Sequence, residues 1–366
     1  MPTFAFATLP PPVHGLSFAT KRFLETTQDS VDWEIWSLGN HGSRRWLGQL
    51  GRLGRNLRAL AHLAFASRQT MTSVYMPVSA GATMVYNVTA ATLCRLRGIP
   101  LVLHHHSYAY LDRDSLLFRA LNRQLGPKDA QICLSEQMSE SLFKRYAVRS
   151  QTIVLPNSFV LEEADDTEEP EVDASRGIRI GFLCNMTFAK GLRIVVETFE
   201  ELVRQLPEAT LVMAGPVHGA LEQKFLDAAK ERLESRLELL GPVYGEDKRR
   251  FYRTTDLFWF PTQYKAEAQP IVLVEALQHG IPCASMDRGC ISWLLEPCGM
   301  VASDVTEFKR DAVRQAVLFS EDRGRDRESS QRRFRQLRTM EGSAIAQAVK
   351  FLNQETEIPV DPLHGT

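Results

Sequence analysis

Two glutamates frame a short apolar stretch in the second half of the chain. Glu267 and Glu275 are separated by seven residues, and the residues from 270 to 279 have the pattern of a short buried helix. Pro270 lies where a first helical residue loses nothing by lacking an N–H group, and Gly280 lies where a left-handed cap ends a helix. A carboxylate inside so apolar a helix needs a charged or hydrogen-bonded partner, so Glu275 is a candidate ligand-binding residue. Glu267, in the loop ahead, is explained equally well as a solvated carboxylate.

The elements around this helix predict an anion site. Residues 256–262 have the pattern of a buried parallel strand, and residues 281–285 that of the next strand. In a unit of this kind the N-terminus of the helix points to the carboxyl edge of the sheet, where anions bind in α/β proteins. The free N–H groups near Ile271 and Val272 are therefore candidates to hold phosphates.

A lysine occupies a similar position earlier in the chain. Lys190 and Gly191 follow a predicted strand that starts at residue 178, and they precede a predicted helix over 192–205. An isolated lysine there is most simply an exposed side chain. With the two glutamates downstream, we favour a lysine that binds a diphosphate, through charge-assisted hydrogen bonds worth about 1.5–3 kcal/mol each.

These residues resemble a known family. Glu267 and Glu275, followed by Ala276 and by the Gly-x-Pro that starts at Gly280, are similar to the donor-site signature of retaining glycosyltransferases of family 4. The resemblance implies an α/β chain with the GT-B fold, two Rossmann-like domains facing a central cleft. It also implies that Glu267 contacts hydroxyls of the donor sugar and that Glu275 binds the ribose of the nucleotide.

Other positions match the pattern of the family only in part. Lys190 matches the lysine that grips the donor diphosphate, whereas Asn185 stands where the family usually has an arginine. Residues 268–270 are Ala-Gln-Pro in place of the usual Gly-Phe-Gly. Val243 is a candidate for the base pocket.

The first half of the chain supplies the predicted acceptor side. Gly15 lies at a strand-to-helix turn and lets backbone approach a ligand, although a glycine there is also common in a plain turn. The resemblance implies that it lies beside both the acceptor and the donor phosphates. A strand over 99–103 is followed by His104, His105 and His106. Neighbours on an extended chain point to opposite faces, so the three are not a metal site. The resemblance implies that His106 or His104 reaches the reacting sugar. The predicted catalytic residues are thus Glu267, His106 and Lys190.

A basic segment between residues 41 and 68 has two interpretations. Its arginines alternate with apolar residues in an amphipathic pattern; they are Arg44, Arg45, Arg52, Arg55, Arg58 and Arg68. The segment is either an ordinary surface helix or a contact with anionic lipid head groups or a lipid-diphosphate acceptor. The glycines at 48, 51 and 54 match no dinucleotide-binding motif and indicate local looseness.

Composition limits the classes of protein that fit. The chain has 366 residues with 44% hydrophobic content, enough for two domains, and a formal charge of −1 argues against nucleic acid as a partner. The six cysteines form no C-x-x-C pair and indicate reduced thiols in the cytoplasm. Neither a signal peptide nor a membrane-spanning run is recognisable. Attachment to the inner face of the membrane stays open.

The predicted domain organisation follows from one acidic stretch. Eight of the twelve residues from 162 to 173 are acidic, too dense a charge to bury. We therefore expect an acceptor-binding domain over 1–161, a linker over 162–176 and a nucleotide-sugar-binding domain over 177–340. A C-terminal helix and tail, 341–366, would pack back on the first domain. The run from 321 to 338 is expected to be a separate solvated helix.

The expected function is that of a retaining glycosyltransferase. It would move a sugar from a UDP or GDP donor to a glycan or lipid-linked acceptor in bacterial surface polysaccharide or glycolipid synthesis, without a metal or other cofactor. Two alternatives keep the fold: a sugar-nucleotide epimerase-like enzyme, and a non-catalytic protein that binds glycan or lipid.

Overall fold

The computed structural model describes residues 1–10, 15–37, 45–65, 70–162, 176–296 and 298–355. Most of the predicted acidic linker and the two ends of the basic segment, with Arg44 and Arg68, lie outside these residues. The chain divides into two compact units. The first contains residues 1–160 and 339–366, and the second contains residues 161–338.

The first unit is built on a six-stranded parallel sheet in the order β2-β1-β3-β4-β5-β6. Its strands are β1 (Thr3–Ala7), β2 (Trp33–Ser37), β3 (Val74–Val78), β4 (Leu101–His105), β5 (Ala130–Cys133) and β6 (Gln151–Val154). Its helices are α1 (Gly15–Thr27), α2 (Arg45–Phe65), α3 (Met84–Arg97), α4 (Ala109–Asp112), α5 (Leu116–Asn122) and α6 (Glu136–Tyr146). Strands β1, β3, β4 and β5 are buried along their whole length, as expected of central parallel strands covered on both faces.

The second unit repeats this plan with the order β12-β11-β10-β7-β8-β9. Its strands are β7 (Arg179–Leu183), β8 (Thr210–Ala214), β9 (Leu237–Gly241), β10 (Leu257–Phe260), β11 (Cys283–Met286) and β12 (Met300–Ala302). Its helices are α7 (Leu192–Leu202), α8 (Ala220–Leu233), α9 (Gly245–Arg253), α10 (Ile271–Gln278), α11 (Ile291–Leu295) and α12 (Val305–Glu321), and α13 (Arg327–Asn353) begins here. The α/β class with two parallel sheets is thereby confirmed.

The strand order of the second sheet reverses between β7 and β10. These strands are hydrogen-bonded neighbours, with Leu257 opposite Ile180 and Phe258 opposite Gly181. The loops that leave their carboxyl ends therefore start side by side. In doubly wound sheets this switch point is where ligands bind. Behind it, the completely buried side chains of Phe182 and Trp259 fill the core.

The C-terminal region differs from the prediction. We expected one helix over 321–338 and another within 341–366, but a single helix, α13, runs from Arg327 to Asn353. Gly342 lies within it, where a Cβ would meet no neighbouring atom. A glycine inside a helix costs only about 1 kcal/mol relative to alanine, so it does not have to end the helix.

Helix α2 corrects a second expectation. The glycines at 48, 51 and 54 lie inside this helix and do not mark looseness. On one face Ala59 and Leu63 are buried, while Leu57 and Phe65 are exposed. Among the described residues, no helix combines the length and apolar character needed to cross a membrane.

Candidate functional site

Two loops of the second unit are fastened together beyond the ends of β7 and β10. The N–H group of Gln263 donates to the carbonyl of Ala189 at 2.9 Å. Gly191 has a φ of +92°, and a Cβ at this position would lie 2.2 Å from the carbonyl oxygen of Pro261. Both the backbone conformation and the close approach require glycine. The glycine after Lys190 therefore fixes where the lysine stands relative to the second loop.

Lys190 and Glu267 form a direct ion pair in these loops. The Lys190 Nζ lies 2.5 Å from Glu267 Oε2, with side chains that are 25% and 12% exposed. The hydroxyl of Thr262 donates to the same carboxylate oxygen at 3.3 Å. The ammonium also lies 4.8 Å from the ring centroid of Tyr264 and 5.7 Å from that of Phe260. The structure thus brings together two predicted site residues that are far apart in the sequence.

The loop after β11 supports the backbone of Glu267. The N–H group of Cys290 donates to the carbonyl of Ala268 at 2.8 Å. Gly289 has a φ of +58°, and a Cβ there would lie 2.2 Å from the carbonyl oxygen of Glu267. Glu267 therefore contacts the loop after β7 through its side chain, and the backbone at Glu267 and Ala268 contacts the loop after β11.

Glu275 lies within α10 and has two partners on α9. Its Oε1 pairs with the ammonium of Lys248, and its Oε2 accepts a 2.7 Å hydrogen bond from the hydroxyl of Tyr252. The Glu275 side chain is only 9% exposed. Burial, reinforced by the neighbouring carboxylate, raises the pKa of Tyr252 well above its usual value, so its hydroxyl remains a donor.

Lys248 and Tyr252 were not predicted from the sequence. They are four residues apart and lie on one face of α9, so they can reach one carboxylate. A search for partners of the buried charge of Glu275 would have needed the fold, because α9 and α10 are separated by β10 in the chain.

The remaining residues predicted for the donor side also belong to the second unit. Helix α10 begins at Ile271, directly after Pro270, and its first turn contains no acidic residue. The first N–H groups of a helix have no partner within it, so those of Ile271 and Val272 are suited to an anion. Asn185 is exposed two residues after β7, and Val243 is half-buried beyond β9. The arrangement can bind an elongated ligand with both phosphate and hydroxyl groups.

The three histidines lie in the first unit at the end of β4. His104 and His106 lie on one face, with ring centroids 4.0 Å apart. His105 is on the opposite face, between the Tyr110 hydroxyl at 2.7 Å and the Gln131 side-chain oxygen at 2.9 Å. The predicted alternation is therefore present.

Burial determines the charge of these imidazoles. It lowers the pKa of His105 to about 4 and that of His106 to about 3, and it lowers the pKa of His104 well below the usual value. Nδ1 of His104 is 2.8 Å from the hydroxyl of Tyr75. The buried Nε2 atoms of His104 and His106 have no hydrogen-bond partner among the described residues. Neutral imidazoles can hydrogen-bond uncharged hydroxyl groups, although the burial of these two nitrogens closes them to solvent.

Gly15 is the exposed first residue of α1 in the same unit. A Cβ at this position would meet nothing within 4 Å. Within this unit a side chain would therefore fit, and the predicted role of Gly15 in backbone approach to a ligand stays a prediction.

No group of three or more His, Cys, Asp or Glu side chains in the described part of the chain has the arrangement of a metal site.

Comparison with known proteins finds a family model that matches part of the second unit. Residues 177–316, which include Lys190, Glu267 and Glu275, match the family model of glycosyl transferases group 1. No curated protein sequence matches the chain.

Solved glycosyltransferase structures share the fold over nearly the full length. Anabaena Alr3699/HepE in complex with UDP and glucose is 16% identical, with a TM-score of 0.69 over 96% of this chain and 100% of that one. Sucrose-phosphate synthase from Thermosynechococcus elongatus is 14% identical, with a TM-score of 0.70 over 97% and 99% of the two chains. The lipopolysaccharide outer core galactosyltransferase WaaB is 13% identical, with a TM-score of 0.66 over 95% and 100%. The chain therefore has the GT-B fold.

Proposed function

We propose that this protein is a retaining glycosyltransferase of family 4 that transfers a hexose from a nucleotide-diphosphate donor to a glycan or lipid-linked acceptor. The observation that carries the proposal is the Lys190–Glu267 ion pair at the switch point of the second sheet. A cation for a diphosphate and a carboxylate for sugar hydroxyls stand together there, within the region matched by the glycosyl transferases group 1 model.

The donor is assigned to the second unit. Lys190 and the N–H groups of Ile271 and Val272 bind the diphosphate, with Asn185 in place of a second cation. Glu267 binds the sugar, Glu275 binds the ribose, and Val243 borders the base. UDP is the first nucleotide to test, because the Anabaena structures contain UDP, or UDP-glucose in a third complex.

The proposed chemistry is a substitution with retention at the anomeric carbon. The bond between this carbon and the diphosphate oxygen breaks, and the departing diphosphate keeps the electron pair. Lys190 and the helix N–H groups stabilise this charge without a metal ion. The acceptor hydroxyl forms the new bond on the same face, and its proton passes to the leaving diphosphate. Gly15, His104 and His106 belong to the acceptor side, where a neutral imidazole hydrogen-bonds a sugar hydroxyl.

A thermal-shift screen against UDP, GDP, ADP and their sugars, with and without a chelator, tests the donor site. We expect one nucleotide to stabilise the protein regardless of chelator, since ligand binding to the folded state raises its stability. Lys190→Ala should lower turnover sharply, and Glu275→Ala should weaken nucleotide binding. Lys224→Ala, an exposed lysine on α8, is the matched control. Normal kinetics in both site variants would refute the assignment, and the anomeric configuration of the product tests retention.

We also propose a location at the inner face of a bacterial membrane, in surface polysaccharide or glycolipid synthesis. Helix α2 supports this because it carries Arg55 and Arg58 together with the exposed Leu57 and Phe65. The protein should be retained by liposomes that contain anionic lipid at low salt and released at high salt. A lack of retention at low salt would contradict the membrane proposal alone.

A second candidate is a non-catalytic protein that binds glycan or lipid. Asn185 at the usual arginine position, together with Ala268-Gln269-Pro270, favours it. If no nucleotide stabilised the protein, this candidate would gain and glycans would be screened next. Sugar-nucleotide turnover without an acceptor would instead indicate an epimerase-like enzyme.

A further inference from the structure

Both oxygens of the Glu275 carboxylate have partners within the protein. Lys248 pairs with Oε1, and the Tyr252 hydroxyl donates to Oε2 at 2.7 Å. Two donors arriving at different oxygens fix the plane of the carboxylate, which a single contact would not do. A nearly buried carboxylate also needs its charge balanced, and Lys248 supplies this balance.

The rest of the structure holds these two donors in place. The Tyr252 side chain is buried, its ring stacks on His279 with centroids 5.2 Å apart, and its hydroxyl lies 3.3 Å from the carbonyl of Val272. Phe251, next to it, is also buried. Tyr252 thus anchors helix α9 in the core. Lys248 lies one turn earlier on the same helix, so this anchor also determines its position.

The hydrogen-bonding capacity that remains on Glu275 fits a vicinal diol. An ionised carboxylate has about four lone-pair positions, two on each oxygen. Lys248 and Tyr252 use one position on each oxygen, so one position per oxygen remains. Two adjacent hydroxyl groups, such as the 2′- and 3′-hydroxyls of ribose, can donate to these two positions together.

We propose that Lys248 and Tyr252 are positioning residues that orient Glu275 for both ribose hydroxyls and thereby make the site select ribonucleotides over 2′-deoxyribonucleotides. This inference rests on the proposed function, in which Glu275 binds the ribose. Neither residue needs to touch the nucleotide, since each acts through the carboxylate.

The test compares the dissociation constants of UDP and 2′-deoxy-UDP for the full chain by calorimetry. If GDP or ADP is the nucleotide found in the screen, its 2′-deoxy form replaces 2′-deoxy-UDP. The wild type should bind the ribonucleotide about ten- to a hundred-fold more tightly, the range expected for a hydrogen bond to a charged group. Lys248→Met should reduce this preference to about three-fold or less, mainly by weakening binding of the ribonucleotide.

Three further variants separate positioning from a general structural role. Lys248→Arg should restore most of the preference, and Tyr252→Phe, which keeps the stacked ring, should reduce it. Arg250→Met, an exposed position on the same helix, is the matched control and should leave the preference unchanged. In a Glu275→Gln background, Lys248→Met should change the preference little, because its effect passes through the carboxylate.

Each outcome decides between the inference and its rivals. A wild type that binds both nucleotides equally, or a Lys248→Met variant that keeps the preference, overturns the inference while leaving the glycosyltransferase proposal standing. Equal weakening of both nucleotides would show a structural or purely electrostatic role and also overturns it. Failure of the wild type to bind any nucleoside diphosphate overturns both proposals at once.

Discussion

Glu267 pairs with Lys190, the cation that a diphosphate would need. Removing the negative charge of Glu267 should therefore strengthen nucleotide binding. The ammonium of Lys190 is 2.5 Å from the Glu267 carboxylate. A diphosphate has to compete with this carboxylate for the lysine. Glu267→Gln keeps the shape of the side chain and removes its negative charge, which leaves Lys190 with a weaker partner.

The size of the effect follows from the two kinds of hydrogen bond. Lys190 keeps its charge in both proteins, so both hydrogen bonds are charge-assisted and contribute about 1.5–3 kcal/mol, with the carboxylate at the upper end and the neutral amide oxygen at the lower end. The difference, about 1–1.5 kcal/mol, corresponds to roughly five- to ten-fold tighter binding. Both side chains keep some contact with solvent, so the lower end of this range is expected.

Calorimetry with UDP, or with the nucleotide found in the screen, checks the prediction. Glu267→Gln should bind the diphosphate more tightly and should transfer sugar more slowly, because the carboxylate for the sugar hydroxyls is gone. The gain should shrink as ionic strength rises. Glu246→Gln, an exposed carboxylate of the same unit, is the control. Unchanged or weaker binding of the nucleotide by Glu267→Gln would refute the view that Glu267 competes with the diphosphate for Lys190.

Three further predictions concern the free energy of unfolding, measured with urea. Gly191→Ala should lower it by at least about 3 kcal/mol, since φ is +92° and a Cβ would lie 2.2 Å from the Pro261 oxygen. Asp256→Asn should lower it by about 3–5 kcal/mol, because Asp256 is buried 2.6 Å from Arg176. Lowering the pH from 6.5 to 4 should remove roughly 2–3 kcal/mol through His105, because the unfolded imidazole takes up its proton from about pH 6.5 downward, whereas the folded one, with a pKa of about 4, does so only at the end of this window.

Matched controls keep these predictions specific. Gly342→Ala, inside α13 where a Cβ meets nothing within 4 Å, should raise stability by up to about 1 kcal/mol, and Asp227→Asn, at an exposed aspartate, should change it little. His105→Gln should reduce the loss of stability between pH 6.5 and 4, whereas His218→Gln, at an exposed histidine, should not. A Gly191→Ala protein as stable as the wild type would contradict the geometry of the two loops, and an unchanged pH dependence in His105→Gln would contradict the role of that imidazole.

Much of the fold could be predicted from the sequence, because the signals for its helices and strands are local. Alternating strands and helices ended at glycine and proline, and the buried helix predicted over 270–279 is observed as Ile271–Gln278. Helix α13 was divided wrongly because a glycine lowers helix stability only slightly, which the packing of the rest of the helix outweighs.

The site could be predicted only in part, for a related reason. Lys190, Glu267 and Glu275 were predicted as candidates from residue type and position. The contact between Lys190 and Glu267 was not, since it depends on the pairing of β7 with β10, which brings residues 77 positions apart together. Lys248 and Tyr252 were missed because a lysine and a tyrosine on a charged helix carry no signal until the helix is placed against Glu275.

The hydrogen bonds to Leu352 affect the order in which the protein folds during synthesis. Its carbonyl oxygen accepts from the hydroxyl of Ser73 at 2.7 Å and from that of Thr3 at 3.2 Å, both within the first unit. The ribosome adds the whole of residues 161–338 between these partners. At about 5–20 residues per second this takes roughly 10–35 s. The second unit is contiguous in the chain and can therefore fold first. Thr3 and Ser73, although synthesised earlier, form their hydrogen bonds only after Leu352 has been added.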